Sequence, residues 1–297
     1  MKNILVSIGL LLSLSAGAQD VVKIKGTRLV YPLMRKWIYE FTKEHPNVKI
    51  KISPNSPSDS IDFSIASYAL TSNELKGDIQ GVAVARYVQL PIVNANRSDL
   101  AEIKSKGITE ATLKALFFGE QPVTLSANSS TSPLQLYVRD RPVCAVKAFA
   151  KHFDENPTDL NGKAVSGDDE DLSRAVRGDV NGITFNNLGF IYDIKSRRVS
   201  SGLAIVPLDL NADGRIDKKE DIYETLDGVI EFIESTENPA FVNERVNLLY
   251  HQTNQKEEAK LFLNWILSNG QSFNHEYGFL LMDAALLNKQ KSIAAGK

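Results

Sequence analysis

Residues 21–53 read VVKIKGTRLVYPLMRKWIYEFTKEHPNVKIKIS, and this stretch decides the fold class. Apolar residues alternate with lysines up to Gly26, which predicts a short half-buried strand. Pro32 suits the first turn of a helix, and the apolar residues after it recur at helical spacing as far as His45. A second alternating run at 48–53 predicts another strand. The order strand, helix, strand favours a parallel sheet with a right-handed crossover.

The rest of the chain continues this alternation of strands and helices. Strands are predicted at 62–69, 81–93 and 203–208, and helices at 73–75, 133–153 and 257–267, with another helix capped by Thr109 and one after residue 221. Alternating elements of this kind indicate an α/β fold. A chain of 297 residues with 43% hydrophobic content can bury two cores.

The N-terminus has the pattern of a secretory signal peptide. Lys2 supplies a positive charge, residues 4–14 form a short apolar run, and Ala-Gly-Ala at 16–18 matches a cleavage site. The apolar run is too short to span a membrane, and no cysteine follows it to carry a lipid anchor. We therefore expect residues 1–18 to be removed and the mature chain to be periplasmic or otherwise extracytoplasmic, without membrane insertion.

Composition excludes several classes of partner and chemistry. The net charge of −2 provides no basic field for nucleic acid. Cys144 is the only cysteine, so the chain has no internal disulfide, and its apolar neighbours predict a buried, inert thiol. The sequence contains no G-x-S-x-G, P-loop, H-E-x-x-H or C-x-x-C motif. We expect a monomeric binding protein without catalytic activity.

Residues 209–220 (DLNADGRIDKKE) match the twelve-residue calcium loop of EF-hands position by position. The predicted ligands are the side chains of Asp209, Asn211, Asp213, Asp217 and Glu220 and the backbone carbonyl of Arg215. Gly214 permits the sharp turn, and Ile216 can attach the loop to a core. A strand is predicted before the loop and a helix after it, so the loop is isolated and a bound Ca²⁺ would be structural. A polar turn without metal is the alternative.

Three small polar stretches precede predicted helices, at 26–29 (GTRL), 66–71 (ASYALT) and 128–132 (NSSTS). Helix N-termini present unpaired N–H groups and partial positive charge, and neighbouring hydroxyls complete a site for an anion. Together the three stretches suggest a ligand cleft. The acidic run at 168–171, in contrast, is interpreted as a solvated cap of the helix that follows it.

Several of these stretches resemble the phosphate-binding proteins of ABC importers. Residues 26–32 (GTRLVYP) are similar to G-S-T-F-V-Y-P, residues 62–71 (DFSIASYALT) to D-F-G-A-S-D-A-P-L-T, residues 88–93 (VQLPIV) to V-Q-I-P-V-V, and 129–131 (SST) to S-G-T. Phe262 and Trp265, then 270–271 (GQ) and 277–279 (YGF), resemble the C-terminal pattern of that family. The resemblance covers nearly the whole mature chain.

This resemblance implies the two-lobed type II periplasmic binding-protein fold, in which two hinge crossovers join the lobes around a central ligand cleft. One lobe would comprise residues 19–92 and 240–297. The other would comprise residues 93–239, including the calcium loop. A membrane component of an ABC importer would be the partner, and phosphate or another small anion the ligand.

The resemblance also supplies site residues. The family's aspartate falls at Ser67 or Tyr68 here, and its arginine falls at Leu125. The glycine of S-G-T is replaced by a serine, and Arg28 replaces a threonine and adds a positive charge. The expected ligand-binding residues are Thr27, Arg28, Ser67, Tyr68, Ser129, Ser130 and Thr131. The altered charges leave open another anion, a larger molecule or no ligand, and they leave open a calcium-stabilised sensing or interaction protein on the same scaffold.

Overall fold

The structure is a computed structural model, and it describes residues 20–126, 134–236 and 238–296. The strands are β1 Val21–Gly26, β2 Lys49–Ile52, β3 Phe63–Ala66, β4 Ile79–Asn94, β5 Gln135–Arg139, β6 Lys163–Val165, β7 Gly182–Asn187, β8 Leu203–Ile205 and β9 Val242–His251. The helices are α1 Tyr31–Glu44, α2 Leu100–Lys106, α3 Glu110–Phe118, α4 Cys144–His152, α5 Asp169–Arg177, α6 Leu188–Ile191, α7 Leu226–Ser235, α8 Glu257–Leu267 and α9 Ala284–Ala294.

The opening β-α-β unit is confirmed. β1 pairs in parallel with β2 on one side and with β3 on the other. Pro32 lies in the first turn of α1, and the helix ends before His45, whose N–H donates to the carbonyl of Phe41. Trp37 and Phe41 are fully buried, and the Phe41 ring packs edge to face on Phe262 of α8. The apolar periodicity of the sequence therefore placed this unit within a residue or two.

One curled sheet runs through the molecule in the order β2-β1-β3-β9-β4-β7-β5-β6, and β8 also pairs with β4. β4 connects its two halves. Its residues 79–89 pair with β9, and residues 89–94 pair with β7 and β8. This mixed arrangement of strands and helices is the α/β architecture that the sequence predicts.

Two hydrophobic cores lie on either side of the middle of β4. The first surrounds α1, β1 and α8 and includes Trp37 and Phe262, whereas the second surrounds α3, α4 and β7 and includes Phe149. Along β4 the change from one core to the other falls between Tyr87 and Val88. We call the two parts the first and the second lobe. The division of the chain at residues 92 and 240 stays a prediction.

The lobes contact each other beside the strands that join them. Glu234 accepts hydrogen bonds from the N–H of Leu281, at 2.6 Å, and contacts Nε2 of His275 at 2.8 Å. Gly189, at the start of α6, lies so close to the segment after α8 that an added Cβ would stand 2.6 Å from the carbonyl oxygen of Tyr277. Only a residue without a side chain fits this approach.

Two predicted helices are wrong. Residues 73–75 form a turn, in which Glu74 accepts hydrogen bonds from the N–H and hydroxyl of Thr71. The predicted helix at 133–153 contains strand β5 and, after a short loop, helix α4. Pro142 lies in that loop, where the lack of an N–H and the fixed φ of proline do no harm. The N–H of Gln135 bonds instead to Asn181 as β5 joins the sheet.

Candidate functional site

Three junctions between a strand and the next helix meet where the two lobes face each other. They follow β1 in the first lobe and β5 and β6 in the second. The β1 junction needs Gly26, which has a φ of +140° and packs so closely on Ile65 that a Cβ would overlap its backbone. Ligands of α/β proteins bind in such places, because carboxyl ends of strands and N-termini of helices converge there.

A cavity of about 310 Å³ occupies this position, and we call it the cleft cavity. Its walls are Gly26, Thr27, Arg28 and Ile65 from the first lobe and Arg139, Arg141, Val143, Cys144, Ala145, Gly167, Asp168 and Asp169 from the second. Three arginines and two aspartates therefore border one small space. Its volume lies at the lower end of the range of about 300–1,000 Å³ that is typical of ligand pockets.

Arg139 is the central cation of the cavity. It ends β5, its side chain is 92% buried, and Nη2 donates to the carbonyl of Gly167. Nε and Nη1 are buried without a hydrogen-bond partner in the structure. A buried guanidinium with unpaired donors is costly in free energy, because it has lost water and gained too little in return. An oxyanion in the cavity would accept from these donors in the paired geometry that arginine favours.

The N-terminus of α4 opens onto the same cavity. Val143 precedes the helix and makes no side-chain cap, so the first-turn N–H groups, starting with that of Cys144, are free of a capping oxygen. Uncapped N–H groups at a helix start are anion donors, and the helix dipole adds partial positive charge. Cys144 is half-buried in the cavity wall, so the prediction of a buried cysteine is wrong.

The N-terminus of α5 is capped in a different way. Asp168 accepts from the N–H of Glu170 at 3.2 Å, and Asp171 accepts from the N–H of Asp168 at 2.8 Å, which completes a capping box. The predicted capping role of the acidic run is therefore confirmed. Its predicted exposure is wrong for Asp169, which is 92% buried in the cavity wall. Burial raises the pKa of Asp169 to about 6, although the nearby charge of Arg139 lowers it.

The structure brings two of the predicted ligand-binding residues to the cavity. Thr27 and Arg28 lie in its wall, and the Arg28 side chain is exposed. Ser67 is fully buried outside the wall, and its hydroxyl has no hydrogen-bond partner in the structure. Tyr68 donates to Glu74, and its ring lies 4.5 Å from the ammonium of Lys147 on α4. Ser129, Ser130 and Thr131 lie outside the described residues.

The arginine of the cavity does not come from the position that sequence matching gave. Leu125 is 5% exposed and packs in the second core, so it has no access to an anion. Arg139 supplies the positive charge from the end of β5, one loop before α4. The sequence signal that could have found it is Pro142, because a proline there divides the predicted long helix and leaves 135–139 (QLYVR) as a strand.

Solved structures similar to this one include proteins described as phosphate-binding components of ABC transporters. A structure described as a phosphate ABC transporter substrate-binding protein with bound phosphate, from Clostridium perfringens, matches with a TM-score of 0.67 at 18% identity. The match covers 89% of this chain and 100% of that one. A phosphate transport receptor from Vibrio cholerae matches with a TM-score of 0.61 at 13% identity, over 88% and 100% of the two chains. This chain has the type II periplasmic binding-protein fold.

Other proteins of this fold serve regulation. The CcmR regulatory domain from Synechocystis PCC6803, in complex with 2-PG, matches with a TM-score of 0.52 at 12% identity, over 84% of this chain and 97% of that one. No protein-family model and no curated protein matches the sequence. Among the described residues, no helix is both long enough and apolar enough to cross a membrane.

The predicted calcium loop is held by its own backbone. Asp209 and Glu220 are each 5% exposed; Asp209 accepts from the N–H groups of Asp213 and Gly214, and Glu220 from that of Leu210. The remaining predicted ligands also bond within the loop. Asn211 accepts from the Asp213 N–H, Asp217 from the N–H groups of Lys219 and Glu220, and Asp213 from the Arg215 guanidinium at 3.1 Å.

The arrangement of these side chains can be compared with the ligand set that Ca²⁺ requires. Over the described ranges, no three His, Cys, Asp or Glu side chains converge as a metal site. The donor types suit Ca²⁺, which takes six to eight oxygens. Asp213 would have to turn away from Arg215 to become a ligand. Ile216 packs on α2 from the loop, and its N–H donates to the carbonyl of Ser105 at 2.7 Å.

Proposed function

We propose that this chain is an exported solute-binding protein that holds a small oxyanion such as phosphate in the cleft cavity. The observation that carries the proposal is the Arg139 guanidinium, 92% buried with two unpartnered donor atoms. An oxyanion would satisfy both atoms and replace the water that burial has removed. The fold adds support, since a structure of the same fold from Clostridium perfringens is described with bound phosphate.

Other groups in the cavity wall would also contact the anion. Uncapped N–H groups at the start of α4 would bind ligand oxygens from the second lobe. Arg28 and the hydroxyl of Thr27 would approach from the first lobe. Because donors from both lobes would share one anion, binding would favour the closed arrangement of the lobes. Once its carboxyl ionises, Asp169 would repel a ligand oxygen that carries no proton. It would therefore favour a ligand that can donate a hydrogen bond to it.

Two other features support a role in export and transport. The pattern of residues 1–18 is that of a cleaved signal peptide, and proteins with this fold include a phosphate transport receptor. In this proposal, the protein is released outside the cytoplasm and delivers its anion to an ABC importer. A Ca²⁺ ion in the loop at 209–220 would stiffen the connection from β8 to α7 and take no part in ligand binding.

Calorimetry tests the proposal on the mature chain. We expect phosphate to bind wild type and to bind Arg139→Ala at least about 100-fold more weakly, because two charge-assisted hydrogen bonds are lost. Arg198→Ala is the matched control, since Arg198 is an exposed second-lobe arginine that pairs with Glu224 on the surface. Equal affinity of wild type and Arg139→Ala would contradict the assignment.

A sensing or interaction protein on this scaffold is the second candidate, because the CcmR regulatory domain shares the fold. Thermal unfolding separates the two functions. A melting temperature that responds to calcium and chelator but to no oxyanion would favour the second candidate. Stabilisation by an oxyanion at 100 times its dissociation constant should reach about 2.7 kcal/mol and would favour the first.

A further inference from the structure

A second cavity, of about 250 Å³, lies between the lobes beside the cleft cavity. The same two walls continue from one cavity to the other. On the first lobe, Arg28 lines the cleft cavity and the next residue, Leu29, lines the second cavity. On the second lobe, Asp169 lines the cleft cavity and Glu170 lines the second cavity. Because consecutive residues line them, the two cavities are neighbours between the same segments of the two lobes.

The walls of the second cavity differ in chemistry from those of the first. Leu29, Pro32, Phe190 and Phe279 give it apolar and aromatic surfaces. Asn187 is 2% exposed, and its Nδ2 donates to Asn186 at 3.2 Å, whereas its Oδ1 accepts no hydrogen bond from the described residues. That oxygen can accept a hydrogen bond from a ligand hydroxyl.

The charges of the second cavity exclude an anion. Its charged lining residues are Glu170 and Asp193, and no lysine or arginine borders it. Glu170 is already paired with Arg177 at 2.8 Å, and Asp193 accepts from the N–H of Ser196 at 2.7 Å. A negatively charged group in this cavity would be repelled by the carboxylate of Asp193, and no lysine or arginine of the lining would attract it.

We propose that the ligand is an organic oxyanion with two parts: an anionic head bound by Arg139 and a short, uncharged, hydroxyl-bearing carbon body in the second cavity. This proposal rests on the proposed function of the cleft cavity and names its ligand class. A phosphomonoester of a small polyol has this distribution of charge. Inorganic phosphate would fill the first cavity alone and leave the apolar surfaces of the second in contact with water.

Three probes test the proposal by calorimetry on the mature chain. Inorganic phosphate has no body, glycerol 3-phosphate has an uncharged body with hydroxyls, and 3-phosphoglycerate has a charged body. We expect glycerol 3-phosphate to bind at least about tenfold more tightly than phosphate, because it buries carbon groups as well. We expect 3-phosphoglycerate to bind more weakly than glycerol 3-phosphate.

A matched pair of variants tests whether the carbon body of the ligand occupies the second cavity. Ser200 lines the second cavity, and Ser200→Phe would fill it without touching the cleft cavity. Ser201 is its exposed neighbour outside the lining, so Ser201→Phe is the control. We expect Ser200→Phe to lose the preference for glycerol 3-phosphate and to keep wild-type affinity for phosphate, which also verifies its folding. Ser201→Phe should behave as wild type.

The contrary outcomes are distinct. Equal affinities for phosphate and glycerol 3-phosphate, or an unchanged preference in Ser200→Phe, would overturn the two-part ligand and leave the proposed function in place. Tighter binding of 3-phosphoglycerate than of glycerol 3-phosphate would overturn the uncharged body. Failure of all three probes to bind wild type would overturn the proposed function itself.

Discussion

Arg139 and Asp169 are both 92% buried in the wall of the cleft cavity, and the positive charge of Arg139 lowers the pKa of Asp169 by less than burial raises it. The buried carboxyl of Asp169 therefore titrates near neutrality beside the guanidinium of Arg139. Protonation of Asp169 at mildly acidic pH makes the lining of three arginines and two aspartates more positive. Sequence alone gives no sign of this pair, since thirty residues of chain separate the two positions.

The Asp169 pKa predicts a pH-dependent cost in stability. Its pKa is about 6 in the folded state against 3.8 for an unperturbed aspartate, so the penalty is absent below pH 4 and complete above pH 6. The shift corresponds to about 3 kcal/mol. Asp169→Asn should therefore raise the free energy of unfolding by up to about that amount at pH 7.5 and leave it unchanged at pH 3.5, measured by urea denaturation. An equal change at both pH values would contradict the burial of an ionised carboxyl.

Arg28 should contribute to anion binding less than Arg139 does. Its side chain is exposed at the mouth of the cavity, so water and salt screen its charge. We expect Arg28→Ala to weaken phosphate binding roughly three- to tenfold at low ionic strength, with most of the effect removed by added sodium chloride. Calorimetry at two salt concentrations measures the loss of affinity and its dependence on salt. Unchanged affinity at low salt would remove Arg28 from the site.

The close approach of Gly189 to Tyr277 should govern how the lobes fit together. In Gly189→Ala the added Cβ would stand 2.6 Å from a backbone oxygen, so the lobes must separate or shift. We expect a loss of about 1–3 kcal/mol in stability and weaker anion binding. Gly178→Ala is the control, because its Cβ would meet nothing nearer than 3.5 Å. Equal effects of the two substitutions in urea denaturation and calorimetry would refute this role.

Calcium should stabilise the chain through the loop at 209–220. We expect Ca²⁺ to raise the melting temperature of wild type and a chelator to reverse the rise, with no such response in Glu220→Gln. Glu224→Gln is the matched control, since Glu224 lies just after the loop and its side chain is exposed. A calcium response that survives in Glu220→Gln, or is absent from wild type, would show that the loop is a metal-free turn.

Sequence periodicity predicted the opening of the first lobe well. The β1-α1-β2 unit was predictable because each element is long enough to show its period, and because Gly26 and Pro32 mark the ends. The long strand β4 was predictable for the same reason. The resemblance to phosphate-binding proteins supplied the two-lobed arrangement, which no local pattern contains.

The cleft cavity was harder to predict, because its key side chains come from short elements. β5 spans Gln135–Arg139 and β6 spans Lys163–Val165, too short to be separated from neighbouring helices by period alone. Aspartates in the first turn of a helix are normally solvated, so the burial of Asp169 depends on tertiary packing around the start of α5. The family resemblance aligned the arginine of the ligand site with Leu125, whose side chain packs in the second core.

Alkylation of Cys144 tests the central claim most directly, because this thiol is the only cysteine in the chain and half-buried in the wall of the cleft cavity. The measurement is the rate at which a small maleimide modifies the mature wild-type chain, with and without saturating phosphate or glycerol 3-phosphate. An anion bound between Arg139 and the start of α4 should slow the reaction at least about tenfold, and Arg139→Ala should abolish the protection. A rate that no oxyanion changes in wild type would contradict anion binding in the cleft cavity.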